Sequence, residues 1–493
     1  MLIKPLLSLL LVSTLMCADD IEEDLGGFTE ETSDAQTATA SFSDESPQQI
    51  NELDGFLDED EVLDGFTDEE IILEEEKETK TQNFTLSGSL AFKTSVGYKK
   101  HEVDGSEYSG INQAQSSVYL QVDGKLSDNW KIRISGDTFY DAIYDLRSNE
   151  NYSQEVKDDY RTQLRLDDTY IQGSITSDLD LKAGRQIVVW GKSDTIRITD
   201  IINPLDNRLP GMTDIEDLRL SVGMAKFDYY VGQWNVSAMV IPENRIFYEA
   251  TPRGEYFPVD AVFFNAPNPF PDLNTPSTSW DNMQYALAVN GVFSGWDLSF
   301  YAADVLDQKW YLDRPVGTPI TSTTQRRVSK IKMLGSAGNI VFGSWLLKAE
   351  VAFLEGVKYN NTNNDKNRLD TLVGLEYMGV KDTTFSLELA NRHIFDYEKQ
   401  MVTQADFVDM NEMQTALRVT RSFANDSFNA TALLSMFGSS WENGGFVRIW
   451  GAYELMEAVN LNVGIVDYIG GNKPLMEAIK DNDRVFADIT YSF

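Results

Sequence analysis

The feature that most limits how this chain folds is a strict alternation of apolar and polar residues. In the string NWKIRISGD, Trp130, Ile132 and Ile134 alternate with Lys131 and Arg133. This period of two is typical of a β-strand with one apolar and one polar environment on its two faces. Strands of soluble sandwiches usually have about five or six residues. Alternating segments of about ten residues are typical of membrane-spanning barrels.

Eighteen such segments can be counted in the chain. They lie near 84–98, 115–126, 129–140, 163–175, 179–189, 219–228, 232–241, 283–293, 296–304, 328–340, 344–354, 368–378, 383–393, 412–422, 427–437, 445–455, 459–467 and 484–493. Short intervals follow the even-numbered segments and long intervals follow the odd-numbered ones, as in barrels with periplasmic turns and external loops. The sequence therefore predicts an all-β fold, a transmembrane antiparallel up-and-down β-barrel of about 18 strands.

The last ten residues, RVFADITYSF, continue the alternation up to the final aromatic residue. A closed barrel has no free sheet edge, so its last strand must pair with its first. We expect Tyr491 and Phe493 to lie on the lipid face, at the aromatic girdle. The ending also resembles the terminal aromatic signal by which bacterial barrel proteins reach the outer-membrane insertion machinery. Tyr491 and Phe493 are therefore predicted to form a membrane-insertion signal.

The N-terminal part of the chain has a different character. Lys4 precedes an apolar stretch from Leu6 to Met16, and Ala18 is a small residue suited to cleavage. Residues 1–18 are therefore predicted to be a signal peptide. The single cysteine, Cys17, lies within it, so we expect neither disulfides nor thiol chemistry after cleavage.

Residues 19–80 carry 24 acidic and two basic residues, which is −22 of the chain's net charge of −37. This charge density predicts a disordered acidic extension. An even number of strands would place it in the periplasm, with residues 81–493 forming the barrel in the outer membrane of a Gram-negative bacterium. The acidic balance argues against nucleic acid as a partner. The predicted barrel implies contact with outer-membrane lipids.

The acidic region contains two similar strings, LDGFLDEDE and LDGFTDEEI. One interpretation is a solvated tether in which the duplication has no role. The other is a short linear motif for a periplasmic partner, with Leu53, Phe56, Leu63 and Phe66 as its apolar anchors. Both interpretations remain open.

The part of the sequence least typical of a barrel runs from Ala183 to Gly223. It is too long for a turn, and its isoleucines, Ile196, Ile198 and Ile201 among them, need cover from water. The segment could fold inward and narrow the lumen, or it could pack outside on neighbouring loops. A second long segment, residues 242–281, is rich in proline and aromatic residues. It could form a lid over the pore or pack against the barrel mouth.

The strings GRQIVVWGKSD, TDIINPLDNR and EDLRLSV in the first of these segments resemble a proteobacterial outer-membrane family of unknown function. The matching positions are Gly184, Arg185, Gln186, Trp190, Gly191, Asp200, Asn203, Pro204 and Arg219. Lys192 departs from the family pattern, in which an acidic residue is expected. Members are often encoded beside transporters of the resistance-nodulation-division (RND) type and a periplasmic partner. The resemblance implies passage of hydrophobic small molecules across the envelope.

The matching block supplies the candidate residues of a pore constriction. They are Arg185, Trp190, Asp200, Asn203, Pro204 and Arg219. The charged positions assigned to the lumen have both signs, so they predict no ion selectivity. They are Asp123, Lys131, Arg133, Arg165, Glu388, Arg418 and Asp488.

The sequence gives little support for catalysis or for a cofactor. It has two histidines, His101 and His393, and a lone histidine is more often structural than catalytic. No catalytic, cofactor-binding or metal-binding residue is therefore predicted.

The sequence as a whole predicts a porin-like outer-membrane channel for small hydrophobic solutes, and the resemblance implies coupling to a periplasmic or inner-membrane transporter. One alternative is a non-conducting barrel for adhesion or transporter docking. A third is an outer-membrane enzyme that acts on lipids through His393.

Overall fold

The computed structural model describes residues 83–147 and 150–493. The predicted signal peptide, residues 1–18, and the acidic region, residues 19–80, lie outside the described residues. The two interpretations of the repeated LDGF strings concern that part of the chain and stay predictions.

Eighteen antiparallel strands form the wall of a closed barrel. In chain order they are β1 (Phe84–Gly97), β2 (Gly110–Ser127), β3 (Trp130–Asp141), β4 (Thr162–Thr176), β5 (Leu179–Gln186), β6 (Val222–Val231), β7 (Trp234–Ile241), β8 (Gln284–Phe293), β9 (Trp296–Asp313), β10 (Gln325–Phe342), β11 (Trp345–Val357), β12 (Lys366–Val380), β13 (Thr383–Ile394), β14 (Asn411–Phe423), β15 (Phe428–Phe437), β16 (Gly445–Met456), β17 (Val459–Ile469) and β18 (Arg484–Ser492). Each strand pairs with its neighbours in sequence, and β18 pairs with β1 to close the ring. The predicted fold class is confirmed.

The short connections follow the even-numbered strands, as predicted. We call the end of the barrel that carries them the turn end and the opposite end the loop end. Short helices lie in the long connections, with α1 at Ile143–Leu146, α2 at Gln154–Tyr160, α3 at Ile215–Leu218, α4 at Val259–Val262 and α5 at Pro474–Ile479. None of the helices among the described residues has the length and apolar character needed to cross a membrane.

The alternation in sequence corresponds to two faces of the wall, as β11 illustrates. Val351 and Phe353 are exposed on the outer face, where they are available to lipid. Lys348, Glu350 and Ala352 point the other way and are buried inside the barrel. Successive side chains of a strand point to opposite faces, so the apolar exposed set marks the lipid face and the buried set marks the interior.

The closing strand shows the same division. Tyr491 and Phe493 are each 48% exposed on the outer face, and their rings lie 6.1 Å apart. The backbone N–H and C=O of Phe493 exchange hydrogen bonds with Gly88 of β1, at 2.9 Å each. The predicted lipid-face placement is therefore observed, and the role of the two side chains as an insertion signal stays a prediction.

Several strands differ in length from the segments read in the sequence. β2 begins at Gly110, earlier than predicted, and β9 continues to Asp313. Both extensions lie at the loop end, where the wall rises beyond the apolar belt and the alternation is no longer imposed by lipid. By contrast, β5 ends at Gln186 and β6 begins only at Val222, because the residues between them leave the wall.

Candidate pore and its inward segment

Residues 187–221, which we call the inward segment, fold against the inner wall of the barrel. Ile196 and Ile198 are 2% and 3% exposed. They pack in one apolar cluster with inner-face side chains of the wall, including Met239 of β7, Ala288 of β8 and Leu354 of β11. The sequence allowed this segment to fold inward or to pack outside. The structure shows the inward fold, in which the isoleucines are buried inside the barrel.

Glu350 of β11 holds the first part of the inward segment through its carboxylate. Its Oε1 accepts hydrogen bonds from the backbone N–H groups of Lys192 and Ser193, at 2.6 and 2.8 Å. Its Oε2 accepts from the N–H and the hydroxyl of Thr199, at 3.1 and 2.7 Å. Four donors converge on one buried carboxylate, which satisfies backbone groups that would otherwise be orphaned.

Glu388 of β13 holds the next residues in the same way. Its carboxylate accepts from the backbone N–H groups of Asp194, Thr195 and Ile196, at 2.8, 3.2 and 3.0 Å. It also accepts from the Ser193 hydroxyl, at 2.8 Å. The two glutamates thus form a pair of inner-wall anchors that fix a turn without regular secondary structure.

Gly191 is the residue that lets the segment approach Glu350 so closely. Its φ is +88°, a region that favours glycine. A Cβ at this position would lie 2.7 Å from both Glu350 carboxylate oxygens. Beside it, the Trp190 ring stacks on Tyr301 of β9, with ring centroids 4.7 Å apart. Both residues of the Trp-Gly pair in the matching block therefore have a packing role.

The central part of the inward segment is held by a buried polar group. The Asp200 carboxylate is 2.9 Å from Arg219 Nε and 3.2 Å from Arg197 Nε. The Asn203 side chain is fully buried. It accepts from the Val188 N–H at 2.8 Å and donates to the Leu220 carbonyl at 2.8 Å. These contacts tie the beginning of the segment to its end.

The six predicted constriction residues are distributed over this framework. Arg185, at the end of β5, pairs with Glu243 at 2.5 Å. Pro204 is buried within the segment, and its carbonyl accepts from the Leu220 N–H at 2.8 Å. The other four, described above, lie in the buried contacts of the segment. The geometry assigns the five residues other than Arg185 to holding the segment in position, whereas Arg185 joins the end of β5 to Glu243. The part of all six in a constriction stays a prediction.

The tip of the inward segment is helix α3, which carries several carboxylates. Asp214, just before the helix, pairs with Arg418 of β14 at 3.1 Å. It also pairs with Arg448 of β16, whose side chain is 4% exposed. Glu216 and Asp217 follow on the helix and are exposed. The tip is therefore fixed at its base by two arginines, and beyond them it presents two carboxylates that have no ion pair in the described part of the chain.

A cavity of about 460 Å³ remains between this tip and part of the wall. Ser89 of β1 and Thr490 of β18 line it near the turn end. Tyr108 and Glu255 line it at the loop end. The cavity therefore follows the inner face of the wall over most of its height.

The interior thus has two sides. We call the inner face of β6–β15, which is covered by the inward segment and its apolar cluster, the filled side. We call the inner face of β1–β4 and β18, which lines the cavity, the open side.

Asp217 and Lys93 face each other across the cavity and were not among the predicted constriction residues. Lys93 of β1, Asp488 of β18 and Asp217 of α3 all line the cavity, and Lys93 lies directly opposite Asp488 in the strand register. The Asp217 side chain is exposed to the lumen, but the surrounding wall partly desolvates its carboxyl group and so raises the pKa, and the neighbouring Asp214 raises the pKa further. The EDLRLSV string contained Asp217, but only the fold shows that it reaches the open side.

The second long segment, residues 242–281, packs at the loop end. Phe257, Phe263 and Phe270 form an aromatic cluster with Leu312 of β9. This is the packing against the barrel mouth that was one of the two interpretations of the sequence. Tyr256 of the same segment lies on the cavity, where it lines the loop end.

Among the described residues, His101 packs beside the Tyr108 ring and His393 beside the Asn411 amide. The Nδ1 of His393 lies 2.8 Å from the Asn411 side-chain oxygen, and its ring meets Phe395 edge to face. Across residues 83–147 and 150–493, no group of three or more His, Cys, Asp and Glu side chains is arranged to hold a metal ion.

Comparison with solved structures finds outer-membrane barrels. Pseudomonas aeruginosa OpdK, solved with vanillate, has 9% identity and a TM-score of 0.48, over 83% of this chain and 98% of that chain. Acinetobacter baumannii OccAB1 has 11% identity and a TM-score of 0.46, over 83% and 95%. Salmonella typhi OmpF, in complex with daunomycin, has 9% identity and a TM-score of 0.42, over 83% and 97%.

Comparison with curated protein sequences finds no match. A family model, by contrast, matches residues 95–493, which include all barrel strands after β1. This range contains the Gly184–Arg219 block on which the resemblance to an outer-membrane family was based. The chain therefore belongs to the family described as protein of unknown function (DUF1302).

Proposed function

We propose that this chain is an outer-membrane channel through which small solutes diffuse along the open side of the barrel. The observation that carries the proposal is the cavity, which runs from Ser89 near the turn end to Tyr108 at the loop end. Barrels of about 16 to 18 strands are wide enough to enclose an aqueous channel. The inward segment narrows this lumen to one side without filling it.

The mechanism requires no chemical step. A solute enters the lumen, passes between α3 and the wall at Ala91 and Lys93, and leaves at the other end. The rigid inward segment would set the size limit, because Glu350 and Glu388 fix it to the wall through eight hydrogen bonds. The rate of solute passage then depends on the width and the charge of the gap between α3 and the wall.

The finer parts of the proposal come from the resemblance and from the cavity lining. Phe139, Tyr144 and Tyr160 contribute aromatic surface to the cavity, which would suit solutes with an apolar part. Coupling to an RND-type transporter would take place in the periplasm, at the turn end where β1 begins at Phe84. The insertion machinery would recognise Tyr491 and Phe493 during assembly.

The proposal is tested by narrowing the open side and measuring conductance in planar bilayers. Ala91 of β1 lines the cavity, so Ala91→Trp should lower the single-channel conductance by more than half. Ala349→Trp places the same side chain on the exposed outer face of β11 and should leave the conductance unchanged. Equal conductance for the two variants would show that solutes do not use the open side.

Failure of the native chain to conduct would favour the alternative of a non-conducting docking or adhesion barrel. The third alternative, an enzyme acting on lipids, has its own test. It requires lipid hydrolysis by the purified barrel that is lost in His393→Ala, and we expect no hydrolysis with either chain.

A further inference from the structure

The charged side chains of the cavity are unequally available to a passing solute. Its lining includes six carboxylates and four cationic side chains. Three of the four cations are arginines that are already engaged by protein carboxylates. Arg165 Nε lies 2.7 Å from Asp137, and Arg208 lies 2.6 Å from Asp206. Arg484 is paired with a glutamate at the loop end. An anionic solute would have to compete with these fixed carboxylates.

The remaining cation is Lys93, which forms no ion pair within 4 Å among the described residues. Two carboxylates of the same gap, Asp217 and Asp488, also have no ion pair within the described part of the chain. Asp488 accepts a hydrogen bond from Asn462 Nδ2 at 2.9 Å. The part of the cavity lined by α3, β1 and β18 therefore presents two carboxylates and one ammonium group.

The loop end of the same cavity adds aromatic faces. Tyr144 and Tyr160 both line it, and the faces of such rings attract cations. The same rings offer apolar surface to organic substituents. An organic cation would gain from both features, whereas an organic anion would gain only from the apolar one.

We infer that the open side favours cations over anions, and that its solutes are small organic cations. This inference rests on the proposed channel function and assigns the solute class to the same path. It also reconciles the hydrophobic solutes implied by the family resemblance with the charged lining, because an organic cation has both an apolar part and a charge.

The charge preference is tested by reversal potentials of the full barrel in planar bilayers under a tenfold KCl gradient. We expect the dilute side to be positive at zero current, with K⁺ permeating about five times faster than Cl⁻. A gradient of tetramethylammonium chloride should give the same sign, which tests the preference for organic cations. A negative dilute side, or no potential, in either salt would overturn the inference.

Two variants locate the preference. Asp217→Asn combined with Asp488→Asn should bring the K⁺ to Cl⁻ permeability ratio close to one and leave the channel open. Asp382→Asn is the matched control, since this exposed aspartate lies in the turn between β12 and β13 and should leave the ratio unchanged. An unchanged ratio in the double variant would contradict the assignment. The absence of any current in the native chain would instead contradict the channel itself, so the two failures are distinguishable.

Discussion

The filled side and the open side of the barrel are built by the same strand alternation but with different inner-facing residues. On the filled side the inner positions include a contiguous apolar cluster, as at Ala288, Ala352 and Leu372, beside charged residues such as Glu350 and Glu388 that bind the inward segment. On the open side they are polar, as at Gln115 and Ser117. The outer faces do not differ in this way, because both meet lipid. The apolar cluster on the inner face of β6–β15 therefore marks the part of this barrel that is packed with protein.

The largest expected effect is on the anchors of the filled side. Replacing Glu350 and Glu388 together with Ala removes the acceptors of eight hydrogen bonds from the inward segment. Buried donors without acceptors each cost about 1–3 kcal/mol. We expect the free energy of unfolding in urea to fall by at least about 4 kcal/mol and the single-channel conductance to rise.

Glu355→Ala is the control for that variant. Glu355 lies on the same strand as Glu350 but is exposed on the outer face. The free energy of unfolding and the single-channel conductance of Glu355→Ala should therefore stay at the native values. If the double variant kept native conductance and native stability, the inward segment would not depend on its wall anchors.

A smaller effect is expected at the tip of the inward segment. Asp214→Ala leaves Arg448, which is nearly buried, without its carboxylate partner. Breaking a buried pair in this way costs about 3 kcal/mol, which urea unfolding would detect. Asp217→Ala, three residues further on, removes a carboxylate with no ion pair among the described residues and should change the stability by less than about 0.5 kcal/mol. Equal losses would show that the tip is not held through Asp214.

These comparisons also show what could and could not be predicted from the sequence. The strands were predictable because lipid on one face imposes a period of two on every strand. The direction of the inward segment was not, because its isoleucines require cover without indicating where that cover lies. Glu350 and Glu388 are more than 150 positions from most of their partners along the chain, so only the closed barrel brings them together.

The candidate site was predicted in part for the same reason. The matching block contains Trp190 and Asp200, which the structure places in the framework of the inward segment. Lys93 and Asp217 carry no local pattern that marks them, since each is a charged residue among others. Their opposition across the cavity depends on the position of α3 in the lumen, which is set by contacts with β14 and β16.

Gly191→Ala tests the close approach on the filled side with a single methyl group. The new Cβ would meet the Glu350 oxygens at 2.7 Å, and the positive φ adds about 1–2 kcal/mol of strain. We expect a loss of about 2 kcal/mol or more in urea unfolding. Gly232→Ala also has a positive φ, of +59°, but a Cβ there meets no atom within 4 Å. Gly232→Ala should therefore show the cost of backbone strain alone. An equal loss of stability in both variants would show that the contact with Glu350 adds nothing to the cost of Gly191→Ala.

The smallest expected effect on stability is on the open side. Lys93→Ala removes an exposed side chain with no ion pair among the described residues, so the stability should change by less than about 0.5 kcal/mol. The K⁺ to Cl⁻ permeability ratio should nevertheless rise, because the gap loses the cation that has no ion pair within residues 83–147 and 150–493. A large loss of stability with an unchanged permeability ratio would show that Lys93 stabilises the fold and does not set the charge preference of the open side.

The central claim, that solutes pass along the open side and not the filled side, is tested most directly by thiol accessibility during conduction. Ala91 of β1 and Ala288 of β8 are both inner-facing alanines, one lining the cavity and the other 1% exposed in the apolar cluster. Each is changed to Cys in a chain with Cys17→Ser, and a charged methanethiosulfonate reagent is added to a conducting bilayer. The account predicts that the reagent blocks the current of Ala91→Cys and leaves that of Ala288→Cys unchanged. Block of Ala288→Cys alone, or equal block of both, would contradict it.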